Sequence, residues 1–207
     1  MAVLRKRKPA AQPAEPPAKV AKTTAKAKAK ATPTQKKTGS TRTSKKVPVV
    51  GDVIDLDDFG GEISTEEGTP TTLKSLVEES KSGVVLFTYP RASTPGCTKQ
   101  VCLFRDGYTE LTSTGLSIFG LSTDSPKANA NFKSKQNLPY PLLCDPSATL
   151  IGALGFKKVP KGTTRGVFVV DKSGKVLLLA PGSPAGTVEA VGKLVEEEEE
   201  EGEEEGK

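Results

Sequence analysis

Residues 48–195 predict an α/β domain with a central mixed sheet flanked by helices. Two observations carry this. Three apolar runs, VVLFTY (84–89), LSIFGLS (116–122) and YPLLCD (140–145), are separated by stretches with helical spacing. Strands that are apolar on nearly every residue are usually buried on both faces, which requires helices above and below the sheet. Second, RGVFVVD (165–171) and KVLLLAP (175–181) flank the turn DKSG, a hairpin signal.

The elements follow in order. VGDVIDLDDFGGEI (50–63) reads as an irregular entry with a short strand or hairpin. TTLKSLVEESKSG (71–83) places Leu73, Leu76 and Val77 at helical spacing and closes on Gly83. Residues 97–113 repeat that spacing at Val101, Phe104, Tyr108 and Leu111. Ser125-Pro126 opens a helix to about Gln136, with proline in the first turn. A last helix covers about 185–195. The order β-α-β-α-β-β-α resembles a thioredoxin-like fold. Helical crossovers imply parallel strands, and the hairpin adds an antiparallel edge.

The ends of the chain differ from this body. Residues 1–47 hold 14 Lys or Arg and one acid, Glu15; residues 196–207 hold nine Glu and one Lys; the body is neutral. Neither end carries enough apolar surface to offset its ordering entropy, so a disordered basic arm and a disordered acidic tail are expected. Arg5, Lys6, Arg7 and Lys8 read as a nuclear-import signal. The spaced lysines after them offer phosphate contacts but no aromatic ring to stack on a base, so weak, non-specific nucleic-acid or chromatin contact is expected, tempered by the acidic tail. The nucleus is the expected location. The cytoplasm is an alternative, or an organelle if 1–47 is a transit peptide. No stretch reaches the roughly 18–20 apolar residues of a membrane span, and no export signal is visible. Three cysteines without an export signal point to a reducing compartment, where thiols serve as chemistry.

The chemistry concentrates in YPRASTPGCTKQVCLFRDGY (89–108). The loop leaves the carboxyl end of the first core strand, where sites in such sheets lie. Cys97 follows a Pro-Gly turn and falls in a first helical turn, where the dipole and free N–H groups favour a thiolate. Thr94 is placed to hydrogen-bond the sulfur or orient an oxyanion beside it. The chain has no histidine, which excludes Cys-His hydrolases and most zinc sites. Cys97 and Cys102, five apart in a helix, have Cα atoms about 8.6 Å apart, beyond the roughly 4.4–6.8 Å of a disulfide. Any bond between them requires local unwinding. Cys144 reads as a core strand residue, with a third redox thiol as the alternative.

Pro90-Arg-Ala-Ser-Thr94-Pro-Gly-Cys97 resembles the active-site signature of the peroxiredoxins, and GCTKQVCLFRD resembles their PrxQ, or bacterioferritin-comigratory-protein, class. The likeness extends through GLSTDSPKANANFKSKQNLPYPLLCDP (120–146) and TTRGVFVVDKSGKV (163–176). With its basic arm the chain looks most similar to fungal nuclear thiol peroxidases. The resemblance implies a thioredoxin-dependent, antioxidant peroxidase that needs no cofactor or metal. Cys97 would attack the hydroperoxide and become a sulfenic acid. Thr94 would hydrogen-bond the peroxide and thiolate, and Pro90 would shield the sulfenate. Arg165 would lower the Cys97 pKa and polarise the peroxide. Cys102 would resolve the sulfenic acid as an intramolecular Cys97–Cys102 disulfide, consistent with a monomer, and thioredoxin would reduce it. Gln100 departs from the pattern, since many bacterial members carry Glu there. The alternative is a chromatin-associated protein whose body is an interaction module; a complete Pro90, Thr94, Cys97, Arg165 set argues for the enzyme.

Overall fold

The computed structural model describes residues 46–204. Residues 1–45 of the basic arm, with Arg5, Lys6, Arg7 and Lys8, lie outside them. Seven strands form one mixed sheet in the order β2-β1-β5-β4-β3-β6-β7. The central trio β3 (Gly83–Thr88), β4 (Leu116–Ser122) and β5 (Leu142–Cys144) is parallel. β6 (Gly166–Asp171) runs antiparallel to β3 and turns through the expected hairpin into β7 (Val176–Pro181).

The alternation of β3 fixes the layers. Val85 and Phe87 point to one core, Val84 and Leu86 to the other. The first core packs against α2 (Pro95–Asp106), α3 (Tyr108–Leu111), α4 (Pro126–Gln136) and α6 (Pro184–Glu204). The second packs against α1 (Leu73–Glu79) and α5 (Thr149–Ala153).

The structure departs from the sequence reading in four places. The helix expected over 97–113 divides at Gly107 into α2 and α3. The entry segment supplies an antiparallel edge of its own, β1 (Ile63–Thr65) on β5 and β2 (Pro70–Thr71) beyond it. α5 was not foreseen. Buried Asp145 caps it by accepting from Thr149 N at 2.9 Å and Ile151 N at 3.0 Å. The acidic run, expected to be disordered from 196, continues α6 as helix to Glu204. Val191 and Val195 already fix that helix on the core. Each further residue adds one helical bond, and Glu is a good helix former. Repulsion between like charges four apart costs only about 0.2–0.5 kcal/mol per pair. Ser113 Oγ also donates to Glu199 Oε1 at 2.5 Å.

Candidate active site

The loop after β3 is held before it reaches Cys97. Asp124 accepts from Ala92 N at 2.7 Å, and Ser122 Oγ in turn accepts from Asp124 N at 3.2 Å. Ser93 takes a left-handed conformation, φ 61°, which reverses the chain into α2. Thr94 is the helix N-cap residue and Pro95 follows in the first turn, where a missing N–H costs nothing. The Thr94 hydroxyl does not cap the helix. It donates to Arg91 O at 2.9 Å, which leaves its lone pairs available as acceptors. The sequence reading offered this hydroxyl either the sulfur or an oxyanion beside it; its hydrogen bond in the structure goes to the loop backbone. Pro90 is exposed at the loop's start.

Cys97 sits in the first turn of α2 and is 1% exposed. Arg165 Nη2 lies 3.5 Å from its sulfur. Because β6 runs antiparallel to β3, its amino end, where Arg165 sits, meets the carboxyl end of β3. Thr88 Oγ1 donates to Thr164 O at 2.8 Å, and Gly182 N donates to Arg165 O at 3.1 Å; together they fix the backbone on both sides of the guanidinium. Gly96 leaves its path free, since a Cβ there would stand 3.2 Å from Arg165 Nη2.

Sequence reasoning had noted Gln100 only as a departure from a family pattern. It is fully buried, accepts from Arg165 Nη1, and donates to Thr187 Oγ1 at 3.1 Å. Thr187, buried in the first turn of α6, therefore anchors Gln100, which holds the guanidinium against the sulfur. A neutral amide here leaves the charge of Arg165 uncancelled for Cys97. No sequence signal links Gln100 to Thr187 across 87 residues.

Cys102 is half-buried, later in the same helix, 3.5 Å from Gln136 Oε1. All three cysteines are free thiols. Cys144 is fully buried in β5, where burial pushes its thiol up from the ordinary value and Asn129 Nδ2 lies 3.2 Å away. That environment suits a packed residue rather than a nucleophile.

Comparison with known proteins gives the family. The profile of the AhpC/TSA family matches residues 55–178. The chain belongs to the AhpC/TSA family. Its relatives include peroxiredoxins of the bcp and Q type. Peroxiredoxin bcp1 of Schizosaccharomyces pombe is 46% identical over 110 residues, 53% of this chain and 53% of that protein. The chain thus spans about half the length of that relative. A chloroplastic peroxiredoxin Q of Gentiana triflora is 39% identical over 107 residues, 51% of this chain and 49% of that protein. Among solved structures, peroxidoxin BcpB of Mycobacterium tuberculosis superposes with a TM-score of 0.64 at 33% identity, covering 71% of this chain and 96% of that one. The bacterioferritin comigratory protein of Xanthomonas campestris gives 0.64 at 28% identity, covering 73% and 99%. This peroxiredoxin has a thioredoxin-like fold, as its element order implied.

Proposed function

We propose that this peroxiredoxin reduces hydrogen peroxide and organic hydroperoxides at Cys97. The observation that carries the reading is the Cys97 sulfur in the first turn of α2 with the Arg165 guanidinium 3.5 Å away. The Cys97 thiolate attacks the terminal peroxide oxygen, the O–O bond breaks, and the departing oxygen takes a proton to leave as water or alcohol. Arg165 and the helix N-terminus stabilise the negative charge that moves from sulfur to the leaving oxygen. Thr94 accepts from the peroxide O–H, and Pro90 shields the sulfenate. The Cys102 thiol then attacks the Cys97 sulfenic acid, water leaves, and an intramolecular disulfide forms. Two electrons and two protons from thioredoxin restore both thiols. One chain holds both cysteines, so a monomer suffices. The similar bacterioferritin comigratory protein of Xanthomonas campestris is described by its alkyl peroxide reduction activity, which supports organic hydroperoxides as substrates.

The test is a thioredoxin-coupled peroxide assay of the purified chain. Cys97→Ser should abolish turnover. Cys102→Ser should form the sulfenic acid once, lose coupled cycling and over-oxidise readily. Cys144→Ser should retain activity. Loss in Cys144→Ser with activity kept in Cys97→Ser would overturn the assignment.

The basic arm supports a nuclear location, with Arg5, Lys6, Arg7 and Lys8 as the import signal, and weak non-specific contact with nucleic acid. If about 6–10 charges engage, affinity should fall about 10³–10⁵-fold between 50 and 200 mM salt. Deleting residues 1–47 should abolish both binding and nuclear accumulation of a fluorescent fusion while peroxidase activity survives.

A further inference from the structure

The residues just before Arg165 form a second hairpin that the catalytic scheme does not use. Lys157 bridges Thr163, Lys158 N donates to Gly162 O at 2.9 Å, and Thr164 N donates to Phe156 O at 2.6 Å. Its return limb runs directly into Arg165, so the hairpin stands past the carboxyl end of β3, at the end of the sheet that holds Cys97. Val159 at its tip is six residues from Arg165, at most about 22 Å along an extended chain.

The tip has an unusual surface. Val159 is 93% exposed, the most exposed large hydrophobic residue among the described residues. A single exposed valine is unremarkable by itself. This one is surrounded by exposed Lys157, Lys158 and Lys161, and none of the three forms an ion pair among the described residues. Lys157, Pro160, Lys161 and Gly162 also line a recess of about 310 Å³, closed on the other side by Thr123 and Ala148. Thr123 adjoins Asp124, whose carboxylate holds the Cys97 loop through Ala92 N. The recess therefore borders the support of the nucleophile's own loop.

We propose that this hairpin docks the protein that re-reduces the Cys97–Cys102 disulfide, a dithiol protein of the thioredoxin type that presents carboxylates around an apolar patch. The inference rests on the disulfide cycle proposed above. The lysines steer such a partner, Val159 meets its apolar patch, and the recess takes a side chain from its rim. Hydrogen peroxide needs none of these features. In the exchange, one partner thiolate attacks a sulfur of the disulfide and the other cysteine leaves as a thiolate that takes a proton. The partner's second thiol then closes its own disulfide and frees the remaining cysteine.

The test compares full-length wild type with Lys157→Glu/Lys158→Glu/Lys161→Glu and with Val159→Asp. Each protein is oxidised with one equivalent of hydrogen peroxide, then reduced in a stopped-flow instrument by thioredoxin or by dithiothreitol. Both variants should be reduced by thioredoxin on the order of tenfold more slowly than wild type at low salt, and by dithiothreitol at the wild-type rate. The wild-type thioredoxin rate should fall with added salt, and that of the triple variant should not. Equal thioredoxin rates would overturn the docking role. So would slowing with both reductants, which would mark a damaged disulfide. Loss of duplex-DNA affinity with thioredoxin rates unchanged would assign the hairpin to nucleic acid instead. If wild type is reduced by dithiothreitol but not by thioredoxin, the reductant assignment itself fails, an outcome distinct from the others.

Discussion

Oxidation to the Cys97–Cys102 disulfide should unwind the front of α2 and leave its last turn in place. Both cysteines lie within the continuous helix Pro95–Asp106. Five residues of helix hold their Cα atoms about 8.6 Å apart, and a disulfide tolerates at most about 6.8 Å. The backbone must close about 2 Å or more, which a helix cannot do while keeping its ladder. About five backbone hydrogen bonds are lost, each contributing roughly 0.5–1.5 kcal/mol net. Opening this stretch in the reduced protein therefore costs about 2.5–7.5 kcal/mol, which corresponds to amide protection of about 10²–10⁵-fold. Unwinding should stop before Phe104, whose ring stacks on Phe87 with centroids 4.3 Å apart. It should also break the bond that the Tyr140 hydroxyl donates to Val101 O at 2.7 Å. Hydrogen-exchange mass spectrometry of peptides spanning 95–106 reads this directly. Protection should collapse over 98–102 on oxidation and persist in peroxide-treated Cys102→Ser. Equal protection in the reduced and disulfide forms would refute the reasoning.

Further expectations concern the groups around the sulfur and the core. Arg165→Ala should slow the peroxide step about 10–100-fold, the scale of one charge-assisted hydrogen bond, whereas exposed Arg91 changed to Ala should cost less than about threefold; single-turnover kinetics separates them. Thr187→Val removes the acceptor for Gln100 and should lower kcat/KM for peroxide several-fold without changing the rate of resolution by Cys102. A loss of stability alone would reduce Thr187 to a packing role. Burial pushes the phenols of Tyr89 and Tyr140 well above their usual range. An unfolded phenol loses its proton near about pH 10 while the folded one keeps it, so this contribution to stability is intact below that pH and is lost as pH rises towards the folded values. Urea midpoints should hold steady to about pH 9.5 and fall above pH 10, less steeply in Tyr140→Phe.

What could be read from the sequence, and what could not, divides along physical lines. The strands at 84–89, 116–122 and 165–171 were legible because burial on both faces leaves continuous apolar runs. The loop carrying Cys97 was legible because its chemistry is local: a strand end, a Pro-Gly turn and a helix start. α5 was hidden because five residues carry no periodicity and its stability comes from the Asp145 carboxylate. The break between α2 and α3 is a backbone change at one position, Gly107, with φ −90° and ψ 9°, which side-chain periodicity does not report. The acidic helix was misread because charge repulsion was weighed without the packed turns that nucleate it. Gln100, Thr187 and Asp124 take their roles from partners distant in the chain, which no local pattern reports.

The central claim is that Cys97 is oxidised first and Cys102 resolves it within the same chain. The most direct measurement is mass spectrometry of the full-length protein quenched at intervals after one equivalent of peroxide, with thiols trapped and the peptides mapped. The account predicts a sulfenic acid on Cys97 that decays as an intramolecular Cys97–Cys102 bridge appears, with Cys144 alkylated only after unfolding. A first oxidation at Cys102 or Cys144, or a bridge from Cys97 to Cys144, would contradict it.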